Sequence, residues 1–237
     1  MNDDIHLQFT LFDLQVREWL AAYRSRGGRI FCRKGCSACC SLAVNCTLSE
    51  AQAIARTLSD AQAAAVRGHV ARLVAHLTAA PDLKAWLRLH RTAIGRCPFL
   101  DADGACVIYA VRPFSCRALL ATKESHWCGV DFAGLTAAEK EAFVASLDTT
   151  VVAFPMHYVA ATQELARELE IRASRRMAER YGFSLYGNLP VLVQLERDHR
   201  LSELVAQGET ATVRLLERTA VDHPFLVVLE RTGPNSI

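Results

Sequence analysis

Apolar positions along this chain fall into helical registers, interrupted by two stretches that have none. Phe9, Phe12, Val16, Trp19, Leu20 and Tyr23 recur three or four residues apart, so the spacing predicts an amphipathic helix over residues 8–24. Gly27 and Gly28 end it. Ser49 followed by Gln52 offers a capping box for a short helix. Val66, Val70, Leu73, Val74 and Leu77 share one face of a second, over 60–77. Pro81 stands where it could open a third, running to about Ile94. Thr136 and Glu139 form another capping-box pair. Residues 157–180 then read as a long helix whose end carries Arg172, Arg175, Arg176 and Arg180, cations that suit a negative helix C-terminus. "YGFSLYGNLP" at 181–190 reads as a break, after which Asn188 caps a helix to about Val205. In "HPFLVVLERTG" at 223–233 periodicity does not separate strand from helix end.

The two aperiodic stretches are residues 31–46 and 95–134. The second has only short apolar runs and a "DADG" turn signal at 101–104. So long a loop is uncommon in a compact domain unless something holds it. Strand–helix alternation is missing, which argues against a nucleotide-binding α/β fold. The expectation is a mainly α, irregular helical fold, one domain over 1–237, with a loop-rich cysteine-cluster metal-binding region at about 31–128.

Composition narrows this. Apolar residues make up 51 % and charged residues 22 %, enough to build a core. A net charge of +2 argues against a dedicated polyanion binder. The basic run Arg24, Arg26, Arg29, Arg33 and Lys34 lacks an aromatic platform, so nucleic acid is not expected as a partner. No apolar run reaches the roughly 18 residues of a membrane span. The acidic start "MNDDIHLQFTLF" does not read as a secretion signal, so the expected setting is cytoplasmic.

That setting bears on the nine cysteines, at 32, 36, 39, 40, 46, 97, 106, 116 and 128. Reducing conditions disfavour disulfides and favour metal or redox chemistry. Adjacent Cys39 and Cys40 could pair only in a strained disulfide. Two groups stand out, Cys32-x3-Cys36-x2-Cys39-Cys40 and Cys97-Pro98 with Cys106, Cys116 and Cys128. Gly35 permits the loop to turn back on itself, so closely spaced thiolates can converge on metal. A site takes about four protein ligands, which leaves one site, two sites or one multinuclear site open. The candidate ligands are Cys32, Cys36, Cys39, Cys40, Cys97, Cys106, Cys116 and Cys128. Cys36-x2-Cys39 is one zinc-type hook, but the second hook is missing. Iron–sulfur clusters tolerate irregular spacing, and a Cys-Pro pair occurs in ferredoxin runs. An iron–sulfur cluster is therefore preferred to zinc.

Neighbouring residues admit two readings each. Arg112 and Arg117, flanking Cys116, either act as ordinary surface charges or donate to cluster sulfur and neutralise its charge. His126 in "HWC" could join Cys128 in a mixed site or be structural. His69 and His76 are seven apart and read as structural. "DADG" lacks the further ligands of a calcium loop.

"CRKGCSACC" followed by "CPFLDADGACVIYAVRPFSCR" resembles the YkgJ-like CxxCxxCC family of zinc- or iron-chelating cysteine-cluster proteins. The resemblance is carried by Cys36, Cys39 and Cys40, then Cys97-Pro98, Cys106, Ile108-Tyr109, Arg112-Pro113 and Cys116-Arg117. It spans roughly 31–118 and implies metal binding. Cys32 departs from the family by one residue of spacing, and Cys46 and Cys128 match nothing in it.

Two other functions are expected as alternatives. One is a structural zinc module without turnover. The other is an S-adenosylmethionine-dependent protein methylase, since Cys32-x3-Cys36-x2-Cys39 has the radical S-adenosylmethionine spacing and the flagellin lysine methylases resemble this family through the same motif. The barrel of that class is not expected here. No phosphate loop, nucleophile elbow or zinc-protease motif occurs. An unidentified protein partner or substrate is expected on the cysteine-free C-terminal half.

Overall fold

Ile5, Phe9, Phe12 and Val16 face the core from the first helix, α1 (Asp3–Ser25), in a computed structural model that describes residues 3–231. The predicted register holds: each of these is at most 8 % exposed. Gly27, at φ +84°, takes the left-handed conformation that stops the helix.

The next helix starts two residues earlier than predicted. α2 (Leu48–Ala55) is capped by Thr47 and Glu50, not by Ser49 and Gln52. Thr47 is also the last residue of a short strand, β1 (Asn45–Thr47), so the strand end fixes where the helix begins. α3 (Asp60–His76) opens on a Ser59–Gln62 capping box. α4 (Leu83–Leu89) is started by Asp82, whose carboxylate accepts from the Ala85 amide at 2.7 Å; Pro81 lies outside it. A π-turn over His90–Ile94 continues it. α5 (Phe114–Ala118) is a single short helix inside the cysteine-rich segment. α6 (Ala137–Ala145) carries the expected Thr136–Glu139 box. α7 (Ala160–Tyr181) closes on Gly182 at φ +80°.

The predicted break at 181–190 is a strand. β2 (Phe183–Asn188) is the centre of an antiparallel sheet in the order β1-β2-β3, with β3 (Val227–Arg231) on the other side. Cys46 faces Gly187, and Leu185 faces Leu229. Five of the six β2 residues are buried, so the polar–apolar alternation that reveals a strand is lost. Gly187 is needed there: a Cβ would run into the Leu226 carbonyl oxygen. Within the 223–233 stretch, 223–226 form a turn and Val227–Arg231 is the strand; residues 232 and 233 lie outside the described residues.

The helix predicted to reach Val205 is two helices. α8 (Leu189–His199) ends at Arg200, left-handed at φ +52°, and α9 (Leu201–Gln207) follows, then α10 (Glu209–Arg218). α8 packs against α2 and α3 with Leu189, Val191, Leu192, Val193 and Leu195 buried. Each side chain of that size contributes about 1.5–3 kcal/mol on burial. With ten helices and three short strands among the described residues, the fold is mainly α. The chief core joins α1, α2, α3, α8 and β2, and smaller apolar clusters form around Ala121, Cys128 and Tyr158 and around Phe143, Leu147 and Val152. No helix among the described residues is long and apolar enough to cross a membrane.

Candidate metal centre

The first cysteine loop is a succession of tight turns. Gly35, at φ +86°, permits one in which the Cys36 amide donates to the Arg33 carbonyl at 3.0 Å. The Cys40 amide then donates to Ser37, and Leu42 to Cys39, both at 3.0 Å. At its start Phe31 is tied to Ala121 by a backbone bond of 2.9 Å.

The second segment is bound directly to the first. The Cys97 amide donates to the Cys40 carbonyl at 2.7 Å. The "DADG" turn forms as expected: the Asp101 carboxylate accepts from the amides of Asp103 and Ala105, and Gly104 sits at φ +78°. This turn brings Cys106 opposite Leu100. α5 then presents Cys116, its first amide, from Phe114, donating to Glu50 Oε1 at 2.7 Å.

These connections place Cys32, Cys36, Cys39, Cys40, Cys97, Cys106 and Cys116 around one cavity of about 510 Å³. Cys128 is 4 % exposed and does not line that cavity; it packs behind Cys32 and Cys39. Its sulfur lies 3.3 Å from His157 Nε2, and the Tyr158 hydroxyl donates to it. Cys46, in β1, is buried in the main core away from the cavity. All nine thiols are unpaired.

His126 does not accompany Cys128. It is exposed and lies against Trp127, while His157, 29 positions from Cys128 in the chain, takes the place beside it. No local spacing connects the two, so the pattern of ligands in the sequence gave no signal of it.

Burial favours the protonated form of several of these thiols. It pushes Cys32 up to about 11 and Cys97 up to about 12, and raises Cys106, Cys116 and Cys128 as well. Cys39 is held well above its ordinary value, first by its hydrogen bond with Cys40 and then by burial. Were Cys39 ionised, its charge would raise Cys32, Cys128, Cys97, Cys106 and Cys116 further. Cys39 thus couples to members of both groups. Metal uptake by such thiols must expel protons, so it strengthens as pH rises.

The two arginines divide the roles that the sequence offered. Arg112 lines the cavity and its charge favours the thiolates of Cys39, Cys106 and Cys116. Its guanidinium lies 3.8 Å from the Tyr109 ring centre. Arg117 is a clamp: its side chain is 2 % exposed, paired with Asp13 at 2.6 Å, bonded to the Arg112 and Ala110 carbonyls, and set over Phe9. It ties the cysteine segment to α1.

Among the described residues, no three His, Cys, Asp or Glu side chains close on a point that one metal ion could occupy. The donor set is soft thiolate, suited to zinc or to iron–sulfur, and seven of the cysteines line one cavity.

Behind Cys116, Ser115 Oγ donates to Glu170 Oε1 at 2.7 Å. Burial, and then the nearby Glu50 carboxylate, lift Glu170 from 4.5 to about 7. The folded state therefore takes up a proton that the unfolded chain releases above 4.5. Stability from this group is present below that value and is lost as pH rises to about 7. Glu170→Gln is expected to remove this loss, gaining about 2–3 kcal/mol over wild type at pH 8 and little at pH 4. Urea unfolding of both proteins at the two pH values checks it; parallel pH profiles would rule the assignment out.

Residues 31–134 match the CxxCxxCC family model, described as a "Putative zinc- or iron-chelating domain". The match continues past the motifs to take in Cys128. Comparisons with curated proteins and with solved structures returned no match.

Proposed function

We propose that this chain, whose residues 31–134 are a zinc- or iron-chelating CxxCxxCC domain, carries an iron–sulfur centre for redox or cofactor chemistry. The observation that carries this reading is that seven cysteines line one cavity, more than the about four donors that a single zinc ion takes. Zinc needs about four donors meeting at roughly 2.3 Å from one point, whereas a polynuclear cluster accepts sulfurs spread around its own volume. Cys36, Cys39, Cys40, Cys97, Cys106 and Cys116 are the proposed ligand pool, with Cys32 at its edge and Cys128 behind. Arg112 supplies the cation that offsets the negative charge of a thiolate-bound cluster.

A structural zinc module is the second reading. Its support is the Cys128–His157 pair beside Cys32, since burial lowers His157 to about 4 and a neutral imidazole is a zinc donor. Either reading sets the protein in a reducing, cytoplasmic compartment, because free thiols pair under oxidising conditions. Any methylase activity would need S-adenosylmethionine bound beside the same thiols.

Anaerobic purification followed by iron, zinc and acid-labile sulfide analysis tests the proposal. The expected protein is coloured, with iron and sulfide in matching amounts. A colourless protein with stoichiometric zinc and no sulfide would overturn the iron–sulfur assignment and leave the zinc reading.

A further inference from the structure

The cavity that the thiols line carries more cations than acids. Arg17, Arg33, Arg112 and Arg117 line it, against one carboxylate, Asp13. Asp13 is already engaged, paired with Arg117 at 2.6 Å. Arg112 favours the thiolates of Cys39, Cys106 and Cys116, which leaves Arg17 and Arg33. The Arg17 side chain makes one bond, from Nε to the Asp13 carbonyl at 3.1 Å, and the Arg33 side chain makes none among the described residues. Both residues are exposed, so they stand where the cavity meets solvent. Arg33 and Cys36 also line a neighbouring basin, together with Arg29 and Arg96 and with Glu124 as its one acid. Arg96 is held there by Ser37, donating to its carbonyl at 3.3 Å and to its hydroxyl, and Arg29 lies 4.6 Å from the Phe31 ring centre. The positive lining thus passes from one concavity to the other through Arg33. A cleft lined by one sign of charge raises the local concentration of the opposite ion and steers it inward.

We propose that this cavity binds a small organic anion, its carboxylate or phosphate head held by Arg17 and Arg33 and its apolar body lying inside, next to the thiols. The chemical class follows from the side chains. A guanidinium presents paired N–H groups in a fixed fork that matches two oxygens of a carboxylate or phosphate. Val16 and Leu20, on the same helix as Arg17, line the cavity with Leu42, Leu119 and Leu120, and these accept an apolar body. At about 510 Å³ the cavity falls in the size range of small-molecule sites, about 300–1,000 Å³. A net charge of +2 for the whole chain fits a local site for one small anion better than a surface for a polyanion. The anion's role beside the thiols rests on the proposed metal centre, whereas its binding rests on the arginines alone.

Isothermal titration of the protein as purified, with its metal, tests this with four probes of similar shape: benzoate, phenyl phosphate, benzamide and benzylamine. Saturable binding of benzoate or phenyl phosphate is expected, weakening as salt is raised. Benzamide, the neutral match of benzoate, should bind at least about tenfold more weakly, and the benzylamine cation should not bind. The tighter of the two anions identifies the head group as carboxylate or phosphate. Arg17→Gln and Arg33→Gln, which remove the charge from exposed positions, are each expected to weaken the anion at least about tenfold while metal content stays at the wild-type level. The thermal melt of each variant establishes that it is folded. Saturation by neither anion, benzamide binding as tightly as benzoate, or folded variants that both bind like wild type would each overturn the proposal. So would variants that lose metal and anion together, since the two arginines would then serve the centre itself. Metal analysis of the wild-type samples separates the two ideas. Zinc with arginine-dependent anion binding sinks only the iron–sulfur reading, and an iron–sulfur protein that binds neither anion sinks only this one.

Discussion

Replacing Cys39 by serine is expected to leave the protein with less than a tenth of the wild-type metal. The loss should exceed that from any other single cysteine. Cys39 lies within electrostatic reach of Cys32 and Cys128 and also of Cys97, Cys106 and Cys116. It is thus the cysteine that couples to members of both groups, and a centre shared by the two groups draws on it. A serine hydroxyl of the same size is a poor substitute for a soft thiolate donor toward zinc or iron. The loop from 31 to 46 is held mainly by short turns and a few ties to residues 97 and 121, so loss of metal should also expose it. Metal analysis together with limited proteolysis measures both effects. Cys46→Ala is the control, since Cys46 is buried in β1 away from the cavity. It should keep wild-type metal while losing some stability. Equal metal in the Cys39→Ser and wild-type proteins would remove Cys39 from the centre.

That the cysteines form the site was legible because thiol chemistry is carried by residue type and spacing, and both are printed in the chain. The turns were legible for a similar reason: Gly35, Gly104 and the Asp101 carboxylate impose local geometry that needs no distant partner. Helices over 8–24 and 60–77 were legible because one face of each is apolar and the other polar. β2 was not, because a strand covered on both faces loses its alternation. The capping box at Thr47–Glu50 was displaced from the predicted one by a strand that only pairs once β2 is in place. Arg112 and Arg117 are equivalent in sequence, both beside Cys116, and are separated only by where α1 delivers Asp13 and Phe9. His157 was invisible as a site residue because it reaches Cys128 from a segment with no local motif. Asn188 does stand at the N-cap position of α8, as predicted, although its side chain makes no capping hydrogen bond.

Glu50→Ala is expected to cost about 4 kcal/mol and to lower the melting temperature by about 10 °C. Glu50 is completely buried, and its carboxylate joins three pieces of chain. Oε2 accepts from the Thr47 amide and the Thr47 hydroxyl, both at 2.7 Å, and Oε1 accepts from the Phe114 amide at 2.7 Å. Alanine leaves the Thr47 and Phe114 N–H groups buried without an acceptor, each costing about 1–3 kcal/mol, and adds a cavity in the core. The loss of the carboxylate's own desolvation cost offsets part of this, since burial raises the Glu50 pKa and opposes its ionised form. The net sign is still destabilising, because two main-chain donors have no other partner within the fixed junction of β1, α2 and α5. The effect should reach the metal as well: Phe114 begins the helix that presents Cys116, so releasing its amide loosens that thiol. Glu50→Gln separates the two contributions. Its single carbonyl oxygen can accept from Phe114 or from Thr47 but not from both, while its amide turns a donor toward the other N–H. An intermediate loss of stability with partial metal retention is expected. Thermal melts and metal content of the three proteins measure this order, and an alanine variant as stable as wild type would show that the Glu50 junction does not hold α5.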